Sequence, residues 1–300
     1  MSFRWVPIGG EPAVDGQQRV VIGLLGRGIA ASRTPAMHIA QGNALGLNYA
    51  YHLIDTANAP TEPEPCDLVD WLLKQGYTGL NVTFPYKQTV MPCLDLVSDE
   101  AQAIGAVNTI VFQDGAKVGH NTDYWGFKES LKQGLPDAAL ETVLQIGAGG
   151  AGKAVSQALL DLGVGLLLVH DTDQKSAAGL VEQLARGHGA DRVKVAGTLE
   201  EATGQADGIV NATPMGMDRY PGLPLPADLI EPRHWVSDIV YFPLETALLI
   251  HARKIGCQVL PGSGMAINQA VRAFELFTGT KADPMQMRTT FEAFDKGRVA

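Results

Sequence analysis

The chain has 300 residues, of which 46% are hydrophobic and 18% charged, and its net charge is −9. This length suggests two domains, and the composition supports a sizeable core rather than a disordered chain. The negative charge argues against a nucleic-acid-binding surface. No apolar run approaches the roughly 20 residues of a membrane span, and no secretory leader is expected. Cys66, Cys93 and Cys257 are scattered and lack metal-ligand spacing, so they predict reduced thiols in a cytoplasmic protein.

Short apolar runs alternate with amphipathic stretches, which predicts an α/β fold with mostly parallel sheets. In the first part, the predicted strands are residues 20–25, 50–54, 79–82 and 107–113, and the predicted helices are residues 35–45, 67–75 and 85–91. After residue 123, the predicted strands are residues 142–146, 166–170, 193–196, 208–211, 235–238 and 258–260, with helices between them. A last helix at residues 264–278 is expected to return to the first domain.

A glycine-rich turn follows the predicted strand 142–146 and precedes a helix. Gly147, Gly149 and Gly152 have the spacing that allows a tight turn, close approach to a pyrophosphate, and packing of helix on strand. The helix N-terminus would add N–H donors. The segment therefore predicts a dinucleotide site, and the alternative is a turn that only connects two elements. The residues expected beside the dinucleotide are Gly147, Ala148, Gly149, Gly150, Ala151 and Gly152.

Asp171 follows the next predicted strand. A carboxylate in this position can accept hydrogen bonds from the ribose hydroxyls of NAD and would repel the 2′-phosphate of NADP. This predicts NAD as the preferred cofactor. Asp171 could instead serve only to start the turn that follows, and Lys175 is close enough in sequence to offer a positive charge to a phosphate.

Residues 81–87, Asn-Val-Thr-Phe-Pro-Tyr-Lys, close one predicted strand and open the predicted helix 85–91. Pro85 suits the first helical position, so Lys87 is expected in the first turn, where the helix dipole opposes a cation. A residue that breaks a local rule points to function, and the dipole would favour the neutral amine that general acid–base chemistry uses. A solvated surface lysine is the alternative.

Two further segments offer ligand groups at predicted helix starts. Asp123 is expected to cap a helix, and if it faced Lys87 the pair could relay a proton during ketone reduction. Thr34 is expected as the N-cap before Pro35, where its hydroxyl, that of Ser32 and free N–H groups could hold a small carboxylate. Ordinary helix capping is the alternative for both segments.

Together these segments resemble the shikimate dehydrogenase family, including its quinate/shikimate dehydrogenase branch, from about residue 20 to residue 278. Residues 32–35, Ser-Arg-Thr-Pro, are similar to the family's Ser-x-Ser-Pro segment, and residues 81–87 match its Asn-Val-Thr-x-Pro-x-Lys segment. Further matches are residues 105–109, 121–123, 147–152, 211–217, 238–241 and 264–270.

The resemblance implies an α/β fold with two domains and an active site in the cleft between them. Residues 1–122, completed by residues 263–300, would form the substrate-binding and catalytic domain, and residues 123–262 a Rossmann-like dinucleotide-binding domain. Lys87 and Asp123 would be the catalytic pair, with Lys87 as the acid/base. The residues expected to hold the substrate, a cyclitol carboxylate, are Ser32, Thr34, Thr83, Asn108, Tyr241 and Gln269, and Asp123 would also bind a ring hydroxyl. Those expected to border the cofactor, besides the loop and Asp171, are Thr213, Gly262 and Met265.

Two departures from the family pattern favour its NAD-linked branch. Thr34 stands where serine is more usual, and residues 170–172 are His-Asp-Thr where NADP-linked members carry Asn-Arg-Thr. The expected function is an NAD-dependent oxidoreductase that interconverts shikimate and 3-dehydroshikimate in the shikimate pathway. A dehydrogenase acting mainly on quinate and a non-catalytic dinucleotide-binding sensor are the alternatives, and the intact Lys87 and Asp123 weigh against the sensor. We expect no metal, no nucleic-acid or membrane partner, and a homodimer as one open assembly state.

Overall fold

The computed structural model describes residues 6–8, 19–59 and 62–296, and the chain divides into two compact units. We call Met1–Thr122 together with Gln269–Ala300 the N-terminal unit, and Asp123–Asn268 the central unit. The division falls at the start of one helix, Thr122–Gly134, and inside another, Ser263–Thr278. Each unit contains its own β-sheet, so the prediction of an α/β fold with two sheets is confirmed.

The sheet of the N-terminal unit mixes parallel and antiparallel pairs. Its strands are β1 (Val6–Ile8), β2 (Val20–Gly26), β3 (Tyr49–Asp55), β4 (Gly79–Val82), β5 (Leu96–Val97), β6 (Thr109–Gln113) and β7 (Ala116–His120), in the order β1-β3-β2-β4-β6-β7-β5. β2 is parallel to β3 and β4, whereas β6 is antiparallel to β4 and β7. The sequence predicted β2, β3, β4 and β6 but not β7, which follows a tight turn at Asp114 and Gly115 with φ angles of 52° and 80°.

The α-helices of the described residues are distributed over the two units. They are α1 (Thr34–Ala44), α2 (Pro65–Lys74), α3 (Asp99–Ile104), α4 (Thr122–Gly134), α5 (Gly150–Asp161), α6 (Gln174–His188), α7 (Leu199–Gln205), α8 (Ala247–Ile255), α9 (Ser263–Thr278) and α10 (Pro284–Lys296). In the N-terminal unit, Leu68 and Leu72 of α2 are buried in one core with Leu80 of β4 and Ile110 of β6. None of the helices in the described ranges is long and apolar enough to span a membrane.

α10, which the sequence analysis did not predict, packs against α1 in the N-terminal unit. The buried Arg33 donates from Nη1 to the carbonyl of Phe291 at 3.0 Å, and its guanidinium lies 4.7 Å from the centre of the Phe291 ring. Nε2 of Gln286 donates to the carbonyl of Ala40 at 3.2 Å, and Met287 is completely buried. α10 therefore supplies both apolar cover and hydrogen-bond partners to α1.

The central unit has a fully parallel sheet. Its strands are β8 (Thr142–Ile146), β9 (Leu166–His170), β10 (Val193–Val195), β11 (Gly208–Asn211), β12 (Trp235–Asp238) and β13 (Gln258–Leu260), in the order β10-β9-β8-β11-β12-β13. These are the strands predicted from the sequence, with bounds that agree to within one residue. Because β8 lies between β9 and β11, the strand order reverses there, and ligands of such sheets bind at the carboxyl ends of the strands at this point.

Candidate active site

Lys87 lies in a series of turns after β4, and the helix predicted for residues 85–91 is wrong. The carbonyl of Lys87 accepts the N–H of Val107 at 2.7 Å, and the N–H of Met91, which an α-helix would direct to that carbonyl, donates to the carbonyl of Gln88 at 3.2 Å instead. Pro85 lies in the same turns, so it does not open a helix either. Lys87 therefore does not lie in the first turn of a helix, and the role expected for it rests on the motif that contains it.

Tyr86, next to Lys87, anchors the same segment in the core. Its side chain is 2% exposed, and its hydroxyl hydrogen-bonds to Oγ1 of Thr56 at 2.8 Å and to Oε1 of Glu62 at 3.0 Å. Glu62 also forms an ion pair with Arg27. The backbone around Lys87 is thus held by a buried side chain rather than by a helix.

The segment that contains Lys87 ends in a disulfide to α2. Cys93 is bonded to Cys66, and their Cα atoms lie 5.0 Å apart. The prediction of reduced thiols is therefore wrong for these two residues, whereas Cys257 is a free and buried thiol. The spacing along the chain gave no sign of the pair because α2 and β4 lie between them, and only the fold brings the two sulfur atoms together.

Ser32 and Thr34 lie at the start of α1, but the capping differs from the prediction. α1 begins at Thr34 rather than at Pro35, and Arg33 is the N-cap residue. The side chain of Arg33 makes no capping bond, but Oγ of Ser32 accepts the N–H of Thr34 at 3.4 Å. Two half-buried hydroxyl residues thus stand beside backbone donors, which is an arrangement that suits a small anion.

Asp55, which the sequence analysis missed, fixes the loop that leads into α1. Its Oδ1 accepts the N–H of Gly28 at 2.8 Å, and its Oδ2 accepts that of Ile29 at 3.0 Å. Partial burial raises the pKa of Asp55, but the hydrogen bond from Ala57, these two bonds and the charge of Arg27 outweigh that effect, so the pKa lies below its ordinary value. The sequence did carry a signal for this role, because Asp55 directly follows the predicted strand 50–54. An acid in that position can accept hydrogen bonds from the N–H groups of neighbouring loops.

Thr83 lies beside the loop after β2. Its N–H donates to the carbonyl of Leu25 at 2.9 Å, and the N–H of Arg27 donates to the carbonyl of Phe84 at 3.0 Å. A Cβ on Gly26 would lie 2.4 Å from Cγ2 of Thr83, so only glycine fits where the two segments meet. The segment with Thr83 and the segment that leads into α1 are therefore neighbours at the carboxyl ends of β2 and β4.

A buried hydrogen-bond network fixes the orientation of the Asn108 amide. Oδ1 of Asn108 accepts the backbone N–H of Thr122 at 2.7 Å and the hydroxyl of Thr109 at 3.0 Å. Because an N–H only donates, these bonds identify the oxygen end of the amide. Nδ2 of Asn108 has no hydrogen-bond partner among the residues that the structure describes, so this side chain offers a donor to a ligand. Oγ1 of Thr122 also lies 3.4 Å from Oε1 of Gln269.

Asp123 is the second residue of α4 rather than its cap, because the helix already begins at Thr122. A carboxylate in the first turn still interacts favourably with the helix dipole. Asp123 opens the central unit, whereas Lys87 belongs to the N-terminal unit, so the two residues expected to be catalytic come from different units. Tyr241, expected beside the substrate, follows β12 in the central unit and is 40% exposed.

The glycine loop, residues 147–152, follows β8 and includes the first three residues of α5. Gly147 has a φ of +108°, and a Cβ there would lie 2.7 Å from the carbonyl of Ala212. A Cβ on Gly152 would lie 2.3 Å from the carbonyl oxygen of Gly147, whereas one on Gly149 or Gly150 would meet nothing within 4 Å. The loop is therefore tightly packed on its inner face and open on its outer face. With the N-terminus of α5 beside the open face, this geometry fits a pyrophosphate.

Asp171 binds the glycine loop directly. Its Oδ2 accepts the N–H of Ala148 at 2.7 Å, and its Oδ1 accepts the N–H of Asp173 at 2.9 Å. The bond from Asp173 shows that Asp171 does start the turn that follows, as the alternative interpretation expected. The bond from Ala148 shows that its carboxylate also lies beside the glycine loop. Lys175 donates its backbone N–H to Asp173, which caps α6. Each oxygen of Asp171 can accept a further hydrogen bond, so ribose hydroxyls can still reach it.

A buried network connects Thr213 to the end of β12. Nδ2 of Asn211 donates to Oδ1 of Asp238 at 2.9 Å, and Oδ1 of Asn211 accepts the hydroxyl of Thr213 at 2.7 Å. Thr246 donates its hydroxyl to Oδ2 of Asp238 at 2.7 Å. Burial raises the pKa of Asp238 to about 6, although the hydrogen bonds from Thr246, Val240 and Asn211 act in the opposite direction. Asp238 belongs to the segment 238–241 that resembles the family, but no role was expected for this residue.

Gly262 and Met265 lie where β13 leads into α9. A Cβ on Gly262 would lie 2.5 Å from the carbonyl oxygen of Ile239, so the chain packs closely against the segment after β12. Met265 is buried in the first turn of α9. The residues expected to border the cofactor therefore follow β8, β9, β11 and β13, all at the carboxyl edge of the central sheet.

Two segments of the chain match models of the shikimate dehydrogenase family. Residues 24–110 match the family model of the shikimate dehydrogenase substrate binding domain, and residues 262–290 match that of the shikimate 5′-dehydrogenase C-terminal domain. A shikimate dehydrogenase (NADP(+)) of Streptomyces avermitilis is 50% identical, over 90% of this chain and 94% of its own length. A quinate/shikimate dehydrogenase (NAD(+)) of Corynebacterium efficiens is 48% identical, over 91% of this chain and 97% of its own length.

A solved structure has the same fold over nearly the whole chain. Quinate dehydrogenase from Corynebacterium glutamicum in complex with NAD superposes with a TM-score of 0.87 and 45% sequence identity, covering 92% of this chain and 99% of that one. The curated relatives share about half of their residues with this chain over nine tenths of its length. The protein therefore belongs to the shikimate dehydrogenase family, whose members are oxidoreductases that act on an alcohol group with NAD(P).

Proposed function

We propose that this family member is an NAD-dependent dehydrogenase that interconverts shikimate and 3-dehydroshikimate. The observation that carries the cofactor choice is the Asp171 carboxylate, which accepts the N–H of Ala148 in the glycine loop at 2.7 Å. A carboxylate so close to the loop that receives a pyrophosphate suits the ribose hydroxyls of NAD and opposes the 2′-phosphate of NADP. Residues 170–172 contain no arginine to offset that repulsion.

We assign dinucleotide binding to the central unit and substrate binding to the N-terminal unit. The central unit offers the open outer face of the glycine loop and the side chain of Thr213, which is held by Asn211. The N-terminal unit offers hydroxyl groups at Ser32, Thr34 and Thr83, on two neighbouring segments. These groups, together with the N-terminus of α1, suit the carboxylate of a cyclitol.

The reaction needs a group that moves a proton while hydride moves to or from the ring carbon. A bound nicotinamide would supply the hydride chemistry. Lys87 would take the proton from the ring hydroxyl during oxidation and return it to the oxygen during reduction, and Asp123 would orient its ammonium group. Nδ2 of Asn108 would donate to a ring oxygen, because Thr122 and Thr109 commit the other end of that amide. Gln269 and Tyr241 would complete the contacts to the ring.

Quinate is a second candidate substrate, and Thr34 is the residue that favours it. Threonine carries a methyl group beside its hydroxyl, and this stiffens the side chain and changes the shape of the pocket relative to serine. The matched Corynebacterium proteins are a quinate/shikimate dehydrogenase and a quinate dehydrogenase. We therefore propose that the enzyme also oxidises quinate to 3-dehydroquinate.

A homodimer and a cytoplasmic location are further parts of this proposal. The cytoplasmic location no longer has the support of reduced thiols, because Cys66 and Cys93 form a disulfide. Light scattering coupled to gel filtration tests the assembly, for which we expect twice the mass of one chain.

The test of the proposed function is a steady-state comparison of shikimate and quinate, each with NAD and with NADP. We expect turnover of shikimate with NAD, and a kcat/KM that is on the order of 10²-fold higher for NAD than for NADP. Asp171→Asn should weaken the use of NAD and partly relieve the penalty on NADP. Equal use of the two cofactors by the wild-type enzyme would reduce Asp171 to a turn residue, and absence of turnover with either cyclitol would contradict the proposed substrates.

A further inference from the structure

Gln145 is a buried polar residue in the middle of the parallel sheet. It is the fourth residue of β8 and has 0% exposure, and its buried neighbours Val143, Leu144 and Ile146 are apolar. Strands that are buried on both faces are usually apolar throughout, because a buried amide must find partners for all its polar atoms. Gln145 therefore needs an explanation that packing alone does not give.

The amide of Gln145 connects both ends of the glycine loop to α5. Its Nε2 donates to the carbonyl of Gly147 at 2.8 Å and to the carbonyl of Gly152 at 3.0 Å. Its Oε1 accepts the hydroxyl of Ser156 at 2.8 Å, and Ser156 is also completely buried. Because carbonyl oxygens only accept, the orientation of the amide is determined, and all three hydrogen bonds are made at once.

The bond to Gly147 has a consequence on the other side of the same peptide group. A peptide unit is planar and trans, so its C=O and its N–H point in opposite directions. Holding the carbonyl of Gly147 towards Gln145 therefore directs the N–H of Ala148 away from Gln145, and Oδ2 of Asp171 accepts that N–H at 2.7 Å. One rigid peptide group thus links the buried amide to the carboxylate.

We propose that Gln145 is a positioning residue that sets the preference for NAD over NADP by holding the 147–148 peptide group and, through it, Asp171. The inference rests on the proposed function, because it concerns the carboxylate to which that proposal assigns cofactor choice. Without Gln145, the peptide group can rotate and Asp171 loses its fixed N–H partner. The carboxylate can then turn away from a 2′-phosphate, which lowers the penalty on NADP.

The experiment compares Gln145→Met with Gln157→Met. Methionine is close to glutamine in size and shape but lacks the amide. Gln157 is a matched control because it is a buried glutamine of α5 that bonds to Asp161 and His188 rather than to the loop. Dissociation constants for NAD and for NADP are measured by titration calorimetry without substrate. We expect the ratio of the two constants to change about 10-fold in favour of NADP for Gln145→Met, and by less than about 2-fold for Gln157→Met.

A second variant and a second background separate positioning from general damage to the loop. Ser156→Ala removes the partner that holds Oε1, so it should shift the ratio in the same direction by a smaller factor, and it serves if Gln145→Met fails to fold. In an Asp171→Asn background, where the charge is absent, Gln145→Met should no longer change the ratio. A loop that is merely loosened would weaken NAD and NADP equally and leave the ratio unchanged, and that result would overturn the proposal.

The wild-type protein distinguishes this inference from the proposed function. If the wild-type protein binds NAD and NADP equally, the proposed cofactor preference is wrong. If the wild-type protein prefers NAD and both Gln145→Met and Ser156→Ala leave the ratio of the two dissociation constants unchanged, the proposed function stands and only the role of Gln145 is refuted.

Discussion

Asp238 is a buried carboxyl whose ionisation we expect to dominate one part of the pH dependence of stability. Burial raises its pKa from 3.8 to about 6, which corresponds to roughly 3 kcal/mol at 25 °C. Between about pH 4 and pH 6 the folded protein therefore retains a proton that the unfolded chain has lost. It follows that the contribution of Asp238 to the free energy of unfolding is most favourable below pH 4 and falls by roughly 3 kcal/mol as the pH rises through 6.

Asp238→Asn tests this reasoning because the amide has the same shape and does not titrate. The hydrogen bonds to Asn211, Val240 and Thr246 change as well, but the difference between their strength to the ionised and to the neutral carboxyl is already contained in the pKa of Asp238. The unfolding free energy of the variant minus that of the wild type should therefore increase by roughly 3 kcal/mol between pH 4 and pH 7.5. Urea unfolding at several pH values, followed by tryptophan fluorescence, measures this difference.

Asp218→Asn is the control, since Asp218 is an exposed carboxyl of the same unit. We expect that variant to follow the wild type at every pH. If the difference between Asp238→Asn and the wild type is the same at pH 4 and at pH 7.5, Asp238 ionises as an ordinary surface carboxyl does, and its burial has no electrostatic cost.

Three further predictions concern the site. Lys87→Ala should lower kcat by on the order of 10²–10⁴ without changing the affinity for NAD in a titration, and a near-normal kcat would exclude Lys87 as the proton-transfer group. Thr34→Val should raise KM for the cyclitol about 5- to 100-fold through the lost hydroxyl, while Thr34→Ser should mainly change the ratio of quinate to shikimate turnover; an unchanged KM in the valine variant would remove Thr34 from the site. Gly152→Ala and Gly150→Ala should both weaken NAD binding, but only Gly152→Ala should lower Tm, by several degrees, because its Cβ would lie 2.3 Å from the carbonyl oxygen of Gly147; equal Tm values would contradict this packing argument.

The four inner strands of the central unit, β9, β8, β11 and β12, could be predicted because they are largely buried on both faces and appear as short, mostly apolar runs. The N-terminal unit was harder. β7 is short and half-buried, and its best signal was the Asp114-Gly115 pair, which is a favoured hairpin turn. The helix predicted at residues 85–91 is wrong because of a tertiary contact. Val107, which is remote in sequence, donates its N–H to the carbonyl of Lys87.

The candidate site, too, could be predicted from the sequence only in part. Residues that directly follow strands, such as Gly147 and Asp171, could be placed from the sequence because the carboxyl ends of parallel strands meet at one edge. The interactions that orient the site could not be predicted. Thr122, which binds Asn108, is 14 residues away from it, and Gln145, although it is only two residues from Gly147 and seven from Gly152, binds them through a side chain whose direction the sequence does not give. A glutamine inside an apolar strand was a visible signal, but only the fold shows which atoms it binds.

The packing of α10 on α1 has a consequence for the order in which the chain folds during synthesis. Arg33 belongs to the first structured part of the sequence, yet the carbonyl and ring that receive it belong to Phe291. Until α10 has been synthesised, the part of α1 that α10 covers remains open to water. By then, every strand of the central sheet has already been synthesised. Since domains fold as their residues emerge, the N-terminal unit starts first and finishes last. Loss of α10 would therefore damage the packing of α1, which lies about 250 residues earlier in the same unit.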